Sequence, residues 1–450
     1  MTAGRKGLPG IGGQLKDQLI RQVMERRMRR AAGEAAAPMP AAGDLPRSVP
    51  EAYWKFAHHP GYQQLRIMRE GGAKLGIANP YFRAHEGSAG GSTRIEGREF
   101  VNFSSYNYLG LSGDARVNRA AKRAIDRYGT SVSASRLVSG ERPVHAELER
   151  ALACAYGTED CVAFVSGHAT NVSTIGYLFG AKDLVLYDSL IHNSVLQGIQ
   201  LSGAQQRSFA HNDPQALEEI LARERPRFER VLIVLEGIYS MDGDYPDLPA
   251  FIEVKNRHRA FLMVDEAHSF GVLGAGGLGI REHFGIAGGA VDIWMGTLSK
   301  SLAGCGGYVA GERTLVENLK FAAPGFVYSV GMAPPLAASS LAALQCMLAE
   351  PERVRTLQAR GRLFLELAKQ ARIDTGTSSG NAVVPAITGS SIKAARLSQA
   401  LFERGINVQP ILYPAVPDKG ARLRFFLSCQ HTEEQIRGTV KALAEELAAL

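Results

Sequence analysis

The sequence has 450 residues, 45% hydrophobic and 21% charged, which suits two or three globular domains, or one large unit with a satellite domain, and excludes a disordered or fibrous chain. The formal net charge is +7, but residues 1–50 hold nine basic and four acidic side chains, so five of the seven excess charges sit there. The rest is nearly neutral, which argues against a nucleic-acid-binding body. Five scattered cysteines without a CxxC pair fit reduced thiols in a cytoplasmic protein better than a disulfide frame or a zinc site.

Residues 14–30 place Leu15, Leu19, Val23 and Met28 near helical spacing, with arginines around the rest of the wheel. The pattern suits a basic amphipathic helix meeting an acidic partner or an anionic membrane; it equally suits a solvated tail. The opening "MTAGRKGLPGIGGQLK" lacks the apolar core of a secretory signal. An Ala/Pro/Gly linker over 31–50 completes a tail of residues 1–50. The expected organisation is then a 51–100 N-terminal segment, a large domain over 101–330 and a small C-terminal α/β domain over 331–450.

Within 101–330 short apolar runs alternate with amphipathic ones. "DCVAFVS" (160–166), "DLVLYD" (183–188), "RVLIVLEG" (230–237), "AFLMVDEA" (260–267) and "DIWMGTL" (292–298) read as buried strands. Segments such as 214–223 and 247–258 read as the helices between them. Strands apolar on both faces, alternating with helices, predict an α/β fold with a mostly parallel sheet covered on both sides in three α/β/α layers. Uncharged Met332–Ala349 has two prolines, two serines and a glutamine, and reads as a buried helix rather than a membrane span. "NAVVPAITG" and "ARLRFFLS" supply strands to the small domain.

In such sheets ligands sit beyond the carboxyl ends of the strands. The unusual polar residues fall there: Ser166–Gly167–His168, Asp188 with His192, Glu236, Asp265 with His268, and Thr297 with Lys300. Asp265 ends an apolar strand, where a carboxylate can be a helix cap, a metal ligand or the partner of a protonated ring nitrogen. No His/Asp cluster with metal spacing accompanies it, so no metal is expected. "FVSGHATN" (164–171) is a strand-to-helix turn of small residues, whose free amides favour an anion such as phosphate. "GAGGLG" (274–279) satisfies a dinucleotide pattern, but "HSFGVL" separates it from its strand, so a glycine-rich loop is the better reading.

Lys300 is the one charge in "GTLSKSLAGCGGY" (296–308), among residues too small to shield it. A lysine at one strand end, an aspartate at another and a phosphate-type turn at a third suit pyridoxal 5′-phosphate. The lysine would bond covalently to the cofactor, the aspartate would keep the pyridine nitrogen protonated, and small neighbours would let the ring lie close. His192, in "YDSLIHNS", could stack on the ring; it could also be an ordinary loop histidine.

Residues 51–450 resemble the α-oxoamine synthase family of fold-type I pyridoxal phosphate enzymes. The likeness rests on ordered motifs: "NFSSYNYLGL" (102–111), "YGTSVSASRLVSGERPVHAELE" (128–149), "FVSGHATN", "YDSLIHNS", "FAHND" (209–213), "EGIYSMDGD" (236–244), "VDEAHSFG", "GTLSKSLAGCGGY" and "YPAVPDKGARLRF" (413–425). The resemblance implies that Lys300 carries the cofactor and transfers protons. It implies that Asp265 pairs with the ring nitrogen, that His192 stacks and that His268 bonds the phenolic oxygen. Ser166, Gly167, His168 and Thr297 would border the phosphate. Asn107, Glu236 and Ser240 would line the cofactor and substrate pocket. Arg424, with Arg422 as the fallback, would bind the substrate carboxylate.

The activity so implied is a decarboxylating condensation of a small L-amino acid with an acyl thioester, in a homodimer. "DEAHSFG" and "EGIYSMDGD" look nearer to the serine palmitoyltransferases than to the biotin-pathway members, and Ser135 stands where glycine-using members carry Thr. L-serine with a long-chain acyl thioester is therefore the expected pair, giving an aminoketone of sphingolipid type. L-alanine with a pimeloyl thioester, as in 8-amino-7-oxononanoate synthase, or the substrate pair of another α-oxoamine synthase, is the alternative. A fold-type I aminotransferase would share Lys300 and Asp265. The basic tail would dock an acidic acyl carrier protein or an anionic membrane surface. Leu412, Val330, Gly331 and Leu278 depart from residues common in relatives.

Overall fold

The computed structural model describes residues 49–413 and 415–450. The expected helix at 14–30 lies outside the described residues, as does nearly all of the basic tail. An antiparallel hairpin of β1 (Ser92–Ile95) and β2 (Arg98–Asn102) precedes the main sheet. The sheet itself comprises β3 (Asp160–Phe164), β4 (Leu184–Asp188), β5 (Gln205–Phe209), β6 (Val231–Glu236), β7 (Phe261–Asp265), β8 (Ile293–Thr297) and β9 (Gly307–Gly311). Their order is β3-β9-β8-β7-β6-β4-β5. All neighbours pair in parallel except β9, which runs against both β3 and β8.

The period-2 alternation of each strand explains why the sheet is covered on both faces. Leu262, Val264, Ile233 and Leu235 pack into one apolar cluster, and Met263, Leu232 and Val234 into the other. The same alternation separates two adjacent carboxylates at the end of β7. Asp265 shares a face with Met263. Glu266 turns to the opposite face, where it accepts from the Ile280 amide and from Ser269.

That second face disposes of the dinucleotide pattern at 274–279. The amides of Gly276 and Leu278 donate to the Glu282 carboxylate, and the Ile280 amide donates to Glu266. The loop's donors are spent on the protein's own carboxylates, which leaves no anion cradle. Burial raises the Glu266 carboxyl to about 7.

The C-terminal region has β10 (Val383–Ile387), β12 (Pro410–Ile411) and β13 (Arg422–Phe426) in an antiparallel sheet with β13 in the middle. A short β11 (Ile406–Asn407) pairs in parallel with β2, so part of the N-terminal segment is tied to the C-terminal region. The uncharged stretch forms the helix Pro334–Ala349, with Ala337, Ala343, Leu344 and Met347 fully buried. No described helix is long and apolar enough to cross a membrane.

Candidate active site

The strand ends set the frame. β6 and β7 are in register at Glu236 and Asp265, so two buried carboxylates lie side by side at the carboxyl edge. β8 ends at Thr297, and the turn that leads into β9 carries Lys300. β4 ends at Asp188, and His192 follows as the N-cap of helix Asn193–Ser202. β3 leads through Ser166 into helix Gly167–Leu178. The residues expected at the strand ends therefore converge on one edge of one sheet.

The Lys300 side chain makes no hydrogen bond or ion pair among the described residues; its Nζ lies 5.5 Å from the centre of the Tyr106 ring. Desolvation lowers its proton affinity to about 8, against the pull of Asp265 and Glu236, and with help from Arg424. Burial, with Asp265 beside it, pushes the Glu236 carboxyl well above the usual range; its Oε2 accepts from the Ser240 amide, and its Oε1 has no partner. An amine without a partner, facing carboxylates and an aromatic ring, fits a covalently attached, flat, charged group.

The two histidines are held differently. Burial drives His268 well below its ordinary value and Tyr108 well above its own, so the imidazole is neutral and the phenol keeps its proton. The Tyr108 hydroxyl therefore donates to His268 Nδ1 at 2.7 Å, which leaves the ring proton on Nε2. His192 Nδ1 lies 2.7 Å from Ser194 Oγ, while its ring is exposed to the cleft.

The floor beside Lys300 is made of small residues for a steric reason. A Cβ on Gly167 would lie 2.9 Å from Thr297 Oγ1, and one on Gly307 would lie 2.4 Å from Thr170 Oγ1. The first-turn amides of helix Gly167–Leu178 have no intrahelical acceptor, and the backbone there can approach a ligand closely. Thr297 Oγ1 donates to the Gly306 carbonyl, bracing the turn. These features fit the phosphate of pyridoxal 5′-phosphate.

Arg422 and Arg424 lie two residues apart on β13 and share a face. Arg422 is committed: it pairs with Asp242 at 2.5 Å and donates to the Gly420 and Met241 carbonyls. Arg424 has no acidic partner. It donates to the Ser240 carbonyl at 3.0 Å, stacks over Phe426, and keeps an unpartnered Nε. Asn107 is also committed, with Nδ2 on the Ala89 and Ser112 carbonyls and Oδ1 on the Ser112 amide. Ser135 is half-buried, and its carbonyl accepts from the amides of Val138, Ser139 and Gly140.

Sequence reading passed over several residues here. Tyr106 and Tyr108 lie in "NFSSYNYLGL", and Asn171 in "FVSGHATN", but the motifs gave no sign of which side chain reaches the centre. His211, in "FAHND", bridges Asp188 Oδ1 at 2.8 Å and Asp244 Oδ2 at 2.9 Å, and Thr377 donates to the same Asp244 oxygen. One imidazolium thus joins the loop before His192, the loop after Ser240 and the C-terminal region. Desolvation opposes its charge, but the two carboxylates win and raise it to about 10. Because the folded value lies above the ordinary 6.5, its stabilisation is complete below about pH 6.5 and fades as pH rises through 10. Thermal denaturation of the wild type is expected to lose stability between these limits more steeply than that of His211→Gln. Parallel pH profiles would exclude this clamp.

The sequence model described as "Aminotransferase class I and II" matches residues 98–443. The chain is 41% identical over 384 residues to 8-amino-7-oxononanoate synthase of Geobacter sulfurreducens, covering 85% of this chain and 96% of the relative. It is 36% identical over 366 residues to serine palmitoyltransferase of Sphingobacterium spiritivorum, covering 81% and 90%. Among solved structures, serine palmitoyltransferase from S. paucimobilis with bound PLP–myriocin aldimine superimposes with a TM-score of 0.83 at 28% identity, covering 87% of this chain and 99% of that one. The 8-amino-7-oxononanoate synthase of Francisella tularensis superimposes with 0.67 at 25% identity, covering 78% and 98%. Matches of this breadth place the chain in the aminotransferase class I and II family and, within it, among the pyridoxal-phosphate-dependent, acyl-transferring α-oxoamine synthases.

Proposed function

We propose that this enzyme condenses L-serine with a long-chain acyl thioester, releasing carbon dioxide and free thiol and leaving an α-aminoketone. The observation that carries a condensation on an amino acid is the pairing of an unpartnered amine, Lys300, with a guanidinium that has no acid of its own, Arg424. Bound pyridoxal 5′-phosphate supplies an electron sink for charge developing at the amino-acid Cα. In this reading Lys300 would hold the cofactor, and its lowered proton affinity suits it to take the Cα proton. Asp265 would face the ring nitrogen, His192 would stack on the ring, and His268, kept neutral with its proton on Nε2, would donate to the phenolic oxygen. Ser166, Gly167, His168 and Thr297 would hold the phosphate. Glu236 and Ser240 line the pocket, and Arg424 orients the carboxylate so that the Cα–H bond stands where Lys300 reaches it. The pocket then lies between a large domain, 101–330, and a small one, 331–450.

The choice of L-serine is supported by "DEAHSFG" and "EGIYSMDGD" and by the superposition on serine palmitoyltransferase. The 41% identity to an 8-amino-7-oxononanoate synthase favours a second reading, L-alanine with a pimeloyl thioester. Titrating the visible absorbance of the holoenzyme with glycine, L-alanine and L-serine separates them: the donor gives a saturable band shift. Thiol release from palmitoyl and pimeloyl thioesters then fixes the acyl partner. A shift with L-alanine alone, together with pimeloyl turnover, overturns the serine reading. Conversion of the cofactor to its amine form by an amino acid alone would indicate transamination.

A cytoplasmic homodimer belongs to the same proposal. The loops 131–140 and 327–331 adjoin through the Gly331 amide on the Ala134 carbonyl, and they present Val138, Tyr328 and Val330 to solvent. Sedimentation is expected to show a dimer, and Tyr328→Glu with Val138→Glu to yield monomer. Residues 1–50 are proposed to dock an acyl carrier protein or an anionic membrane surface, a role lost if their deletion leaves both activity and vesicle binding unchanged.

A further inference from the structure

Three contacts, two of them buried, connect the two side chains assigned to opposite parts of the cofactor ring. Asn171, one turn into helix Gly167–Leu178, is 1% exposed. Its Nδ2 lies 2.8 Å from Asp265 Oδ2 and 2.9 Å from Ser194 Oγ. Ser194, also 1% exposed, lies 2.7 Å from His192 Nδ1. Asp265 reaches Asn171 because it lies on the sheet face that packs against this helix.

Donor counting gives the chain a direction. An amide nitrogen has two hydrogens, and here both are used. Ser194 Oγ must accept one of them, so its own hydrogen is free for His192 Nδ1. The Ser194 backbone N–H points to the same nitrogen, at 3.3 Å. Nδ1 is therefore an acceptor, and the proton of the neutral ring sits on Nε2. At the other end, Asp265 Oδ2 takes the Asn171 hydrogen, while Oδ1 takes the Ala267 amide at 2.9 Å.

Asn171 Oδ1 is buried with no partner. An orphaned acceptor is costly, and a residue kept only for packing would be apolar here. Flipping the amide would set its oxygen against the Asp265 carboxylate. The nitrogen is held where it is because two acceptors need it.

We propose that Asn171 and Ser194 are positioning residues, a hydrogen-bonded fork that fixes the orientation and charge of Asp265 together with the tautomer of His192. This rests on the reading that Asp265 and His192 face the cofactor ring. Removing the Asn171 donor leaves Asp265 holding the ring-nitrogen proton more tightly. The ring becomes less cationic, and the nitrogen that joins it to Lys300 keeps its proton to higher pH. The other titratable groups that feel Asp265 are Lys300, Glu236, His192, Glu266 and Tyr308, and neither substitution removes any of them.

The test is a pH titration of the visible absorbance of the holoenzyme, with thermal denaturation alongside, for Asn171→Leu, Ser194→Ala, Ser194→Thr and the double variant. Asp265→Ala serves as reference. Asn171→Leu is expected to move the midpoint alkaline by about one pH unit, the scale of one charge-assisted hydrogen bond. Ser194→Ala moves it less and Ser194→Thr restores it. The double variant shifts by less than the sum of the singles. Should Asn171→Leu and Ser194→Ala lower the melting temperature but keep the wild-type midpoint and band ratio, the two residues are packing and the inference falls. Ser194→Ala deletes a single oxygen, so it decides the question if Asn171→Leu does not fold. An unchanged band in Asp265→Ala would instead overturn the assignment of Asp265 to the ring.

Discussion

Replacing Lys300 by alanine is expected to lower turnover by about a thousandfold or more and to abolish the cofactor band that depends on a bond to the protein. Neither the carboxyls nor the imidazoles around it can form that bond. Among the groups around it, Glu236 is a carboxyl pushed well up by burial, and His268 and His192 are both held below their ordinary values. The sign of the pH dependence follows from the proton affinity of Lys300, about 8. A base works deprotonated, so the logarithm of kcat should rise with pH and level off above about 8. A profile that is flat from pH 6 to 9 would show that proton removal by Lys300 does not limit the reaction. Residual turnover within tenfold of wild type in Lys300→Ala would exclude its role altogether.

Arg424→Ala should raise KM for the amino acid about a hundredfold, the effect of losing a charge-assisted, two-pronged contact worth ~3 kcal/mol. Arg424→Lys should recover only part of this, because an ammonium cannot reproduce the fork. Arg422→Ala gives the contrast. It breaks the pair with Asp242 and leaves two backbone carbonyls without their donor. Its signature is a lower melting temperature with KM near wild type. If the two substitutions exchanged these effects, the carboxylate would belong to Arg422.

These arginines also show how far the sequence could be read. They occupy i and i+2 of one strand, so periodicity puts them on the same face and cannot rank them. Only the position of Asp242, 180 residues away, does that. The central strands were legible because each is apolar on both faces, and their ends were legible because the polar residues cluster there. β5 was missed because "QQRSF" is an exposed edge with one buried residue. β9 was missed because "GYVAG" is bounded by glycine and follows the lysine turn at once. Asn171 and Ser194 carry no local signal at all. A polar residue in the first turns of a helix is ordinary, and the carboxylate that gives Asn171 its place lies 94 residues along the chain.

The glycines under the lysine turn divide what this protein can afford to vary. Gly306 has φ 147°, and a Cβ there would press on the Phe164 carbonyl at 2.6 Å; a Cβ on Gly307 would lie 2.7 Å from the Gly167 Cα. On this side the backbones of three segments nearly touch, and no side chain can be inserted without driving them apart. Across the cleft, Tyr106, Ser240 and Arg424 are side chains on separate loops and strands, where size and polarity can change one at a time. Drift toward a new amino acid or acyl chain therefore has one wall open to it. The wall that grips the cofactor end must be inherited whole.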